Sequence, residues 1–187
     1  MFRSYLIGVV ALIAASAACA VDIEGVRVED KASVGGQDLV LNGAGVRKRA
    51  IFKVYVGSLY VPAKSRSMQE VLASGPRRLQ LNMLRSLSAD QLIGALQDGL
   101  KQNLAPAEME AVVVPMGELA AIMKSFGEAK EGSVVTLDFV DGGTRISLNG
   151  TERGTIAGAA FNEALTRIWI GEHPAQPDLK KAMLGGA

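Results

Sequence analysis

The sequence offers a single cysteine, Cys19, and a single histidine, His173, and this scarcity removes whole classes of chemistry. One histidine cannot build a multi-histidine metal site, and neither C-x-x-C nor H-E-x-x-H occurs, so no metal ligands are assigned. His173 stands in GEHPAQP just past a helix stop, where it reads as a surface or helix-terminus residue. Ser58 and Ser147 have no evident base, and a serine hydrolase would need His173 carried across the fold. There is no Walker loop and no G-x-G-x-x-G behind a strand, so a nucleotide is not expected and no cofactor is assigned. Excess charge is missing too. The 20 Lys and Arg against 19 Asp and Glu give a formal net charge of +1, too weak a field to hold nucleic acid.

What is present begins with MFRSYLIGVVALIAASAACA. Arg3 precedes an apolar run from Tyr5 to Ala15, and Ala18 and Ala20 fit an A-x-A cleavage site. Residues 1–20 therefore read as a secretory signal peptide, too short and wrongly flanked for a stable membrane span. Cleavage would remove Arg3 and Cys19 together, leaving a charge-balanced chain without thiol or disulfide, periplasmic or secreted. A competing reading makes Cys19 a lipidated N-terminus, but Ser16 stands where such signals carry a bulky aliphatic residue. Residues 21–187 are long enough for one domain with a sizeable core.

From Val21 the pattern alternates in short runs. Gly35-Gly36 marks a two-residue hairpin turn, because primed turns need positive φ at both central positions. AIFKVYVGSLYV reads as a long strand with Phe52, Val54 and Val56 on one face and Lys53, Tyr55 and Gly57 on the other. RRLQLNML places Leu79, Leu81 and Met83 inward. Ser88 opens a capping box with Gln91, followed by Leu92, Leu96, Leu100 and Leu104 on one helical face. A second helical pattern runs through Met109, Met116, Met123 and Phe126. Pro115 removes a donor in its middle, predicting a break into two short helices. VVTLDFV, TRISL and ERGTI form further strands, with Asn149-Gly150 a strong hairpin signal. Phe161, Ala164, Leu165 and Ile168 share a face of a helix ending at Gly171, and Pro177 opens a last short helix. With no internal repeat, the pattern is α+β, a meandering antiparallel sheet with helices on one side.

Few residues carry chemistry. Asp138 and Asp141, three apart at a strand end, point to opposite faces and read as turn-solvating rather than as an acid and base pair. The methionines read as core or ligand-lining, and Trp169 as a packing anchor. Arg47, in what reads as a glycine-flanked turn, offers a planar fork of donors suited to a carboxylate or an enolate-like oxygen at the mouth of an apolar cavity.

The stretch GAGVRKRAIFKVYVGSLYV and the C-terminal LNGTERGTIAGAAFNEALTRIWIGEHPAQPDLKKAMLG resemble the chalcone isomerase-like family, and in particular its exported bacterial branch. The resemblance spans nearly all of residues 22–185. It implies an open-faced β-sandwich, a large antiparallel sheet with a helical layer and a cleft between them. It also implies either an intramolecular lyase or isomerase, or a non-catalytic fatty-acid binder whose arginine and tyrosine hold the carboxylate. Arg47 falls on the family arginine. Ungapped alignment sets Tyr55 against the enzymes' threonine, and Leu92 and Gly99 against their tyrosine and asparagine. The ligand-binding candidates are thus Arg47, Tyr55 and Leu92. Arg47 and Tyr55 are also the catalytic candidates if the chain turns over an enone or phenol. A third reading is a structural partner module with a closed cleft. The partner expected by the first reading is a small apolar or amphipathic ligand, with no nucleic acid and no membrane span after cleavage. No protein partner is assigned.

Overall fold

The computed structural model describes residues 20–186. The leader expected over residues 1–20, with Cys19, lies outside them save for Ala20.

The chain opens with a small hairpin, β1 (Val21–Ile23) and β2 (Val26–Val28). Then β3 (Lys31–Val34) turns into β4 (Gln37–Arg49) through Gly35 and Gly36, at φ 60° and 81°, as their sequence predicts. Next come β5 (Phe52–Val61), a short helix α1 (Met68–Ala73), β6 (Arg77–Met83) and a two-residue strand β7 (Leu87–Ser88). The helices α2 (Ala89–Asn103) and α3 (Pro106–Phe126) follow, then β8 (Glu128–Ala129), which pairs with β7. The chain ends as β9 (Val134–Val140), β10 (Gly143–Leu148), β11 (Thr151–Ala157), α4 (Ala159–Ile170) and α5 (Pro177–Met183). Seven strands form one sheet in the order β11-β10-β9-β6-β5-β4-β3, antiparallel throughout.

One face of the sheet lies under α2, α3 and α4. Leu79, Leu81, Leu137 and Phe139 from the strands pack there against Leu96, Leu100, Leu119, Phe161 and Leu165 from the helices. The other face is covered only in part, where Val28, Leu39, Val56 and Tyr60 gather beneath the β1–β2 hairpin. Elsewhere that face is polar, so the sandwich is open on one side.

Three local readings change. Pro115 does not divide the helix: α3 runs unbroken for 21 residues, because Val112 before it and Met116, Leu119 and Met123 after it bury a continuous stripe that outweighs one missing hydrogen bond. Asp138 is not a turn residue. It lies directly opposite Arg78 across β6 and β9 and accepts that guanidinium's Nε and Nη2 at 2.6 and 2.7 Å, a bidentate pair closed by cross-strand register. In β5 the expected alternation slips at Val54, which is an extra residue between the pairs Arg47–Tyr55 and Lys48–Lys53. This β-bulge puts Val54 and Tyr55 together in the helix-side core and sends Val56 to the opposite one.

Two buried polar groups on the strands differ in how they are satisfied. Arg77, on the helix side, donates to Thr166 Oγ1 and to the Asn162 carbonyl at 2.8–3.1 Å and lies 4.5 Å from the Phe139 ring centre. Burial lowers its pKa to about 10, so it stays charged at neutral pH and ties α4 to β6. Ser58, fully buried on β5, has a hydroxyl without a partner among the described residues. Ser58→Ala is therefore expected to raise stability by about 1 kcal/mol, read as a higher urea midpoint at unchanged m-value.

Candidate functional site

The site begins with glycines that serve a different purpose from the one their sequence suggests. Gly43 and Gly45 flank no turn; they lie inside β4, and Gly45 pairs with Gly57 of β5. A Cβ on Gly43 would sit 2.0 Å from the Ala182 carbonyl oxygen, one on Gly45 2.8 Å from Ala182 Cβ, and one on Gly57 2.6 Å from Met183 Cε. The three form a flat patch on which α5 rests directly against the sheet. Asn42, an extra residue in β4, locks the far end of this contact by donating to the carbonyls of Ser65 and Met183 at 2.9 and 2.7 Å.

Docking α5 brings its N-cap residue, Gln176, to the free edge of β4. Its side-chain amide donates to the Val46 carbonyl at 3.3 Å and accepts from the Lys48 N–H at 2.8 Å, the two bonds a neighbouring strand would make there. The same Gln176 oxygen accepts from Arg47 Nη1 at 3.3 Å, and Arg47 also donates to the Lys48 carbonyl. Arg47 makes no ion pair among the described residues. It thus stands in a strand, positioned by neutral acceptors, with its charge uncompensated.

Tyr55 faces Arg47 in register and, because of the bulge, points to the helix side. It is 8 % exposed, and its oxygen accepts a hydrogen bond from Trp169 Nε1 at 2.9 Å. Burial pushes the phenol pKa up, against the opposing pull of the Trp169 hydrogen bond and the Arg47 charge, so at neutral pH the group keeps its proton. That proton goes to no acceptor among the described residues. An indole donor fills the lone-pair side of the phenol, and the O–H is left for something else to accept.

Both groups open into a cavity of about 760 Å³ between the sheet and α2. Its walls are apolar, among them Val54, Leu81, Leu92, Leu96, Leu137 and Ile168. Its rim is charged, with Arg49 and Arg85 on the strand side and Asp90 and Asp98 on α2. All three sequence candidates, Arg47, Tyr55 and Leu92, line this one cavity. Leu92 is 7 % exposed and contributes wall. Trp169, read from sequence as packing, is in addition the group that orients Tyr55. Gln176 escaped the sequence reading altogether, since a glutamine before a helical proline carries no signal that it will bridge a strand 128 residues away. Met123 reaches the cavity, while Met116 stays in the core. His173 is exposed at the end of α4, its backbone clasped by Asn103, as expected for a helix-terminus residue. No group of three or more His, Cys, Asp or Glu side chains able to hold a metal occurs among the described residues.

Chemically, the arrangement is an apolar chamber with a cation and a neutral O–H donor side by side at its mouth, which suits an oxyanion on a greasy body. Gly99, aligned with the enzymes' asparagine, has no space for a side chain, because a Cβ there would come within 2.7 Å of Ile168 Cγ2.

Comparison with known proteins follows the same line. The family model described as chalcone isomerase-like matches residues 20–185. Among solved structures, the chain is similar to the crystal structure of a fatty-acid binding protein of Arabidopsis thaliana, with a TM-score of 0.69 and 15% identity over 88% of this chain and 95% of that one. At such low identity the likeness shows the fold alone. No curated protein matches in sequence.

Proposed function

The chain belongs to the chalcone isomerase-like family, and from that premise we propose that it is a non-catalytic binding protein for an apolar ligand bearing a carboxylate, such as a fatty acid. The acyl chain occupies the cavity, and the carboxylate accepts from Arg47 and from the Tyr55 hydroxyl. The observation that carries this reading is the buried Tyr55 hydroxyl, which accepts from Trp169 Nε1 at 2.9 Å and has no acceptor for its own O–H among the described residues. A carboxylate is acceptor-only and has two oxygens, one for each donor. The cavity volume falls in the range of small-molecule sites. The Arabidopsis neighbour is itself a fatty-acid binding protein, which agrees with the reading.

The other two readings fare less well. A closed partner module needs the cleft filled by side chains, and it is not filled. An isomerase can use the same Arg47 and Tyr55 to hold a developing oxyanion. It also needs positioned groups to order the reacting atoms, and Leu92 and Gly99 supply none. The leader read over residues 1–20 makes the proposed binder an exported one, acting in the periplasm or outside the cell.

Native mass spectrometry of protein purified from its own host, with extraction of bound molecules, tests the proposal. The expected result is a copurifying acidic amphiphile; protein that arrives empty and fails to take up added fatty acid sinks it. Tyr55→Phe is expected to weaken binding of an added fatty acid by about 1 kcal/mol, roughly fivefold, as read by fluorescent-probe displacement. Unchanged affinity would remove the phenol from the site.

A further inference from the structure

We propose that the tip of the β4–β5 hairpin docks the protein on the surface of an anionic lipid bilayer, with the cavity mouth set against the membrane. The proposal rests on the ligand reading above for its purpose, and on the tip itself for its evidence.

The turn between the two strands is Ala50-Ile51, and the apex presents apolar side chains to water. Ile51 is 89 % exposed, more than any other large apolar residue among those described, and Phe52 beside it is 52 % exposed. Around them the run from Arg47 to Lys53 carries four basic residues and no acidic one. Lys53 is paired with Glu24 at 2.6 Å, whereas Lys48, Arg49 and Arg85 make no ion pair among the described residues. Arg85 lies 4.7 Å from the centre of the Phe52 ring, which keeps its charge at the apex. A few apolar side chains ringed by unpaired Lys and Arg match the boundary between acyl chains and anionic headgroups. A two-residue convex apex offers far less area than a stable protein interface needs, about 1,200 Å² or more in total.

The position of the tip supports the same occupant. Arg49, Ala50, Phe52 and Arg85 line the cavity as well as the tip, so whatever the tip touches lies at the cavity entrance. Asp90 and Asp98 occupy the opposite, α2 side of that entrance, confining the attraction to the hairpin. A water-insoluble acid could then pass between bilayer and cavity without crossing bulk water. The other exposed apolar pair, Val113 and Val114 on α3, sits between Glu110 and Glu118 in sequence and lacks the cations that an anionic surface would select.

The test is flotation of the chain without its leader with vesicles of phosphatidylglycerol and phosphatidylcholine, and with phosphatidylcholine alone, at low and high salt. Ile51→Asp and Ile51→Ser are compared with the wild type. The Ile51 side chain does not line the cavity, and binding of a soluble fluorescent fatty-acid analogue is measured on the same samples. Expected are salt-sensitive flotation with the anionic vesicles only and a loss of roughly tenfold in each variant, with analogue binding unchanged. Background flotation of a wild type that still binds the analogue overturns the docking proposal and leaves the ligand reading standing. Flotation without analogue binding does the reverse. Flotation that Ile51→Asp leaves intact moves the contact away from the tip and overturns the proposal. So does background flotation accompanied by self-association that Ile51→Asp abolishes, which would assign the tip to a second copy of the chain.

Discussion

Replacing Arg47 by alanine is expected to weaken binding of a long-chain carboxylate by about 2 kcal/mol, roughly thirtyfold, while leaving stability nearly unchanged. The affinity loss follows from removing a charge-assisted bond at the edge of an apolar chamber, where competing water is reduced. The small effect on stability follows from what Arg47 touches. Its acceptors among the described residues are the Lys48 carbonyl and Gln176 Oε1, and Gln176 keeps its bonds to Val46 and Lys48 without it. Isothermal titration with a fatty acid and urea unfolding separate the two quantities. Unchanged affinity would move the carboxylate to Arg49 or Arg85 at the rim.

Gly43→Ala is expected to cost about 3 kcal/mol or more of stability and to weaken ligand binding with it. The added methyl would meet backbone, the Ala182 carbonyl oxygen at 2.0 Å and the Met183 oxygen at 3.0 Å, so no rotamer change relieves the clash and α5 itself must lift. Lifting α5 withdraws Gln176 from the β4 edge and frees Arg47 from its acceptor. Gly45→Ala meets the Ala182 methyl instead, at 2.8 Å. Its damage should be smaller and partly relieved by Ala182→Gly, after allowance for about 1 kcal/mol of helix propensity. Gly43→Ala should gain nothing from that second change. Urea denaturation of the four variants checks the pattern, and equal rescue of both would show that helix docking is not what these glycines secure.

The contrast between these effects explains how much was legible in the sequence. Signals that act within a few residues read correctly. The Gly35-Gly36 and Asn149-Gly150 turns take the positive φ values they announce, Ser88 and Gln91 close the expected capping box, and Phe161, Ala164, Leu165 and Ile168 bury one face of α4. What misread was set by partners distant in sequence. The bulge at Val54 exists because β4 and β5 change register there, and periodicity within one strand cannot report it. Gly43 and Gly45 looked like turn residues because their reason lies in α5. Asp138 looked solvated because Arg78 stands 60 residues earlier. The candidate site shows the same division. Arg47 stood out by its own chemistry, Tyr55 and Leu92 came from family resemblance, and the three share one cavity, whereas the Trp169–Tyr55 bond, spanning 114 residues, and the Gln176 bridge belong to tertiary structure.

Whether Arg47 and Tyr55 hold a carboxylate is tested most directly by a four-way comparison. The affinities of dodecanoic acid and its methyl ester are measured for the wild type and for Arg47→Ala at neutral pH. The acyl chain is the same in both, so the difference between them isolates the head group. The wild type is expected to prefer the acid by about tenfold or more, and the preference to collapse in the variant. Equal binding of acid and ester by the wild type, or a preference that survives the loss of Arg47, would contradict the carboxylate assignment.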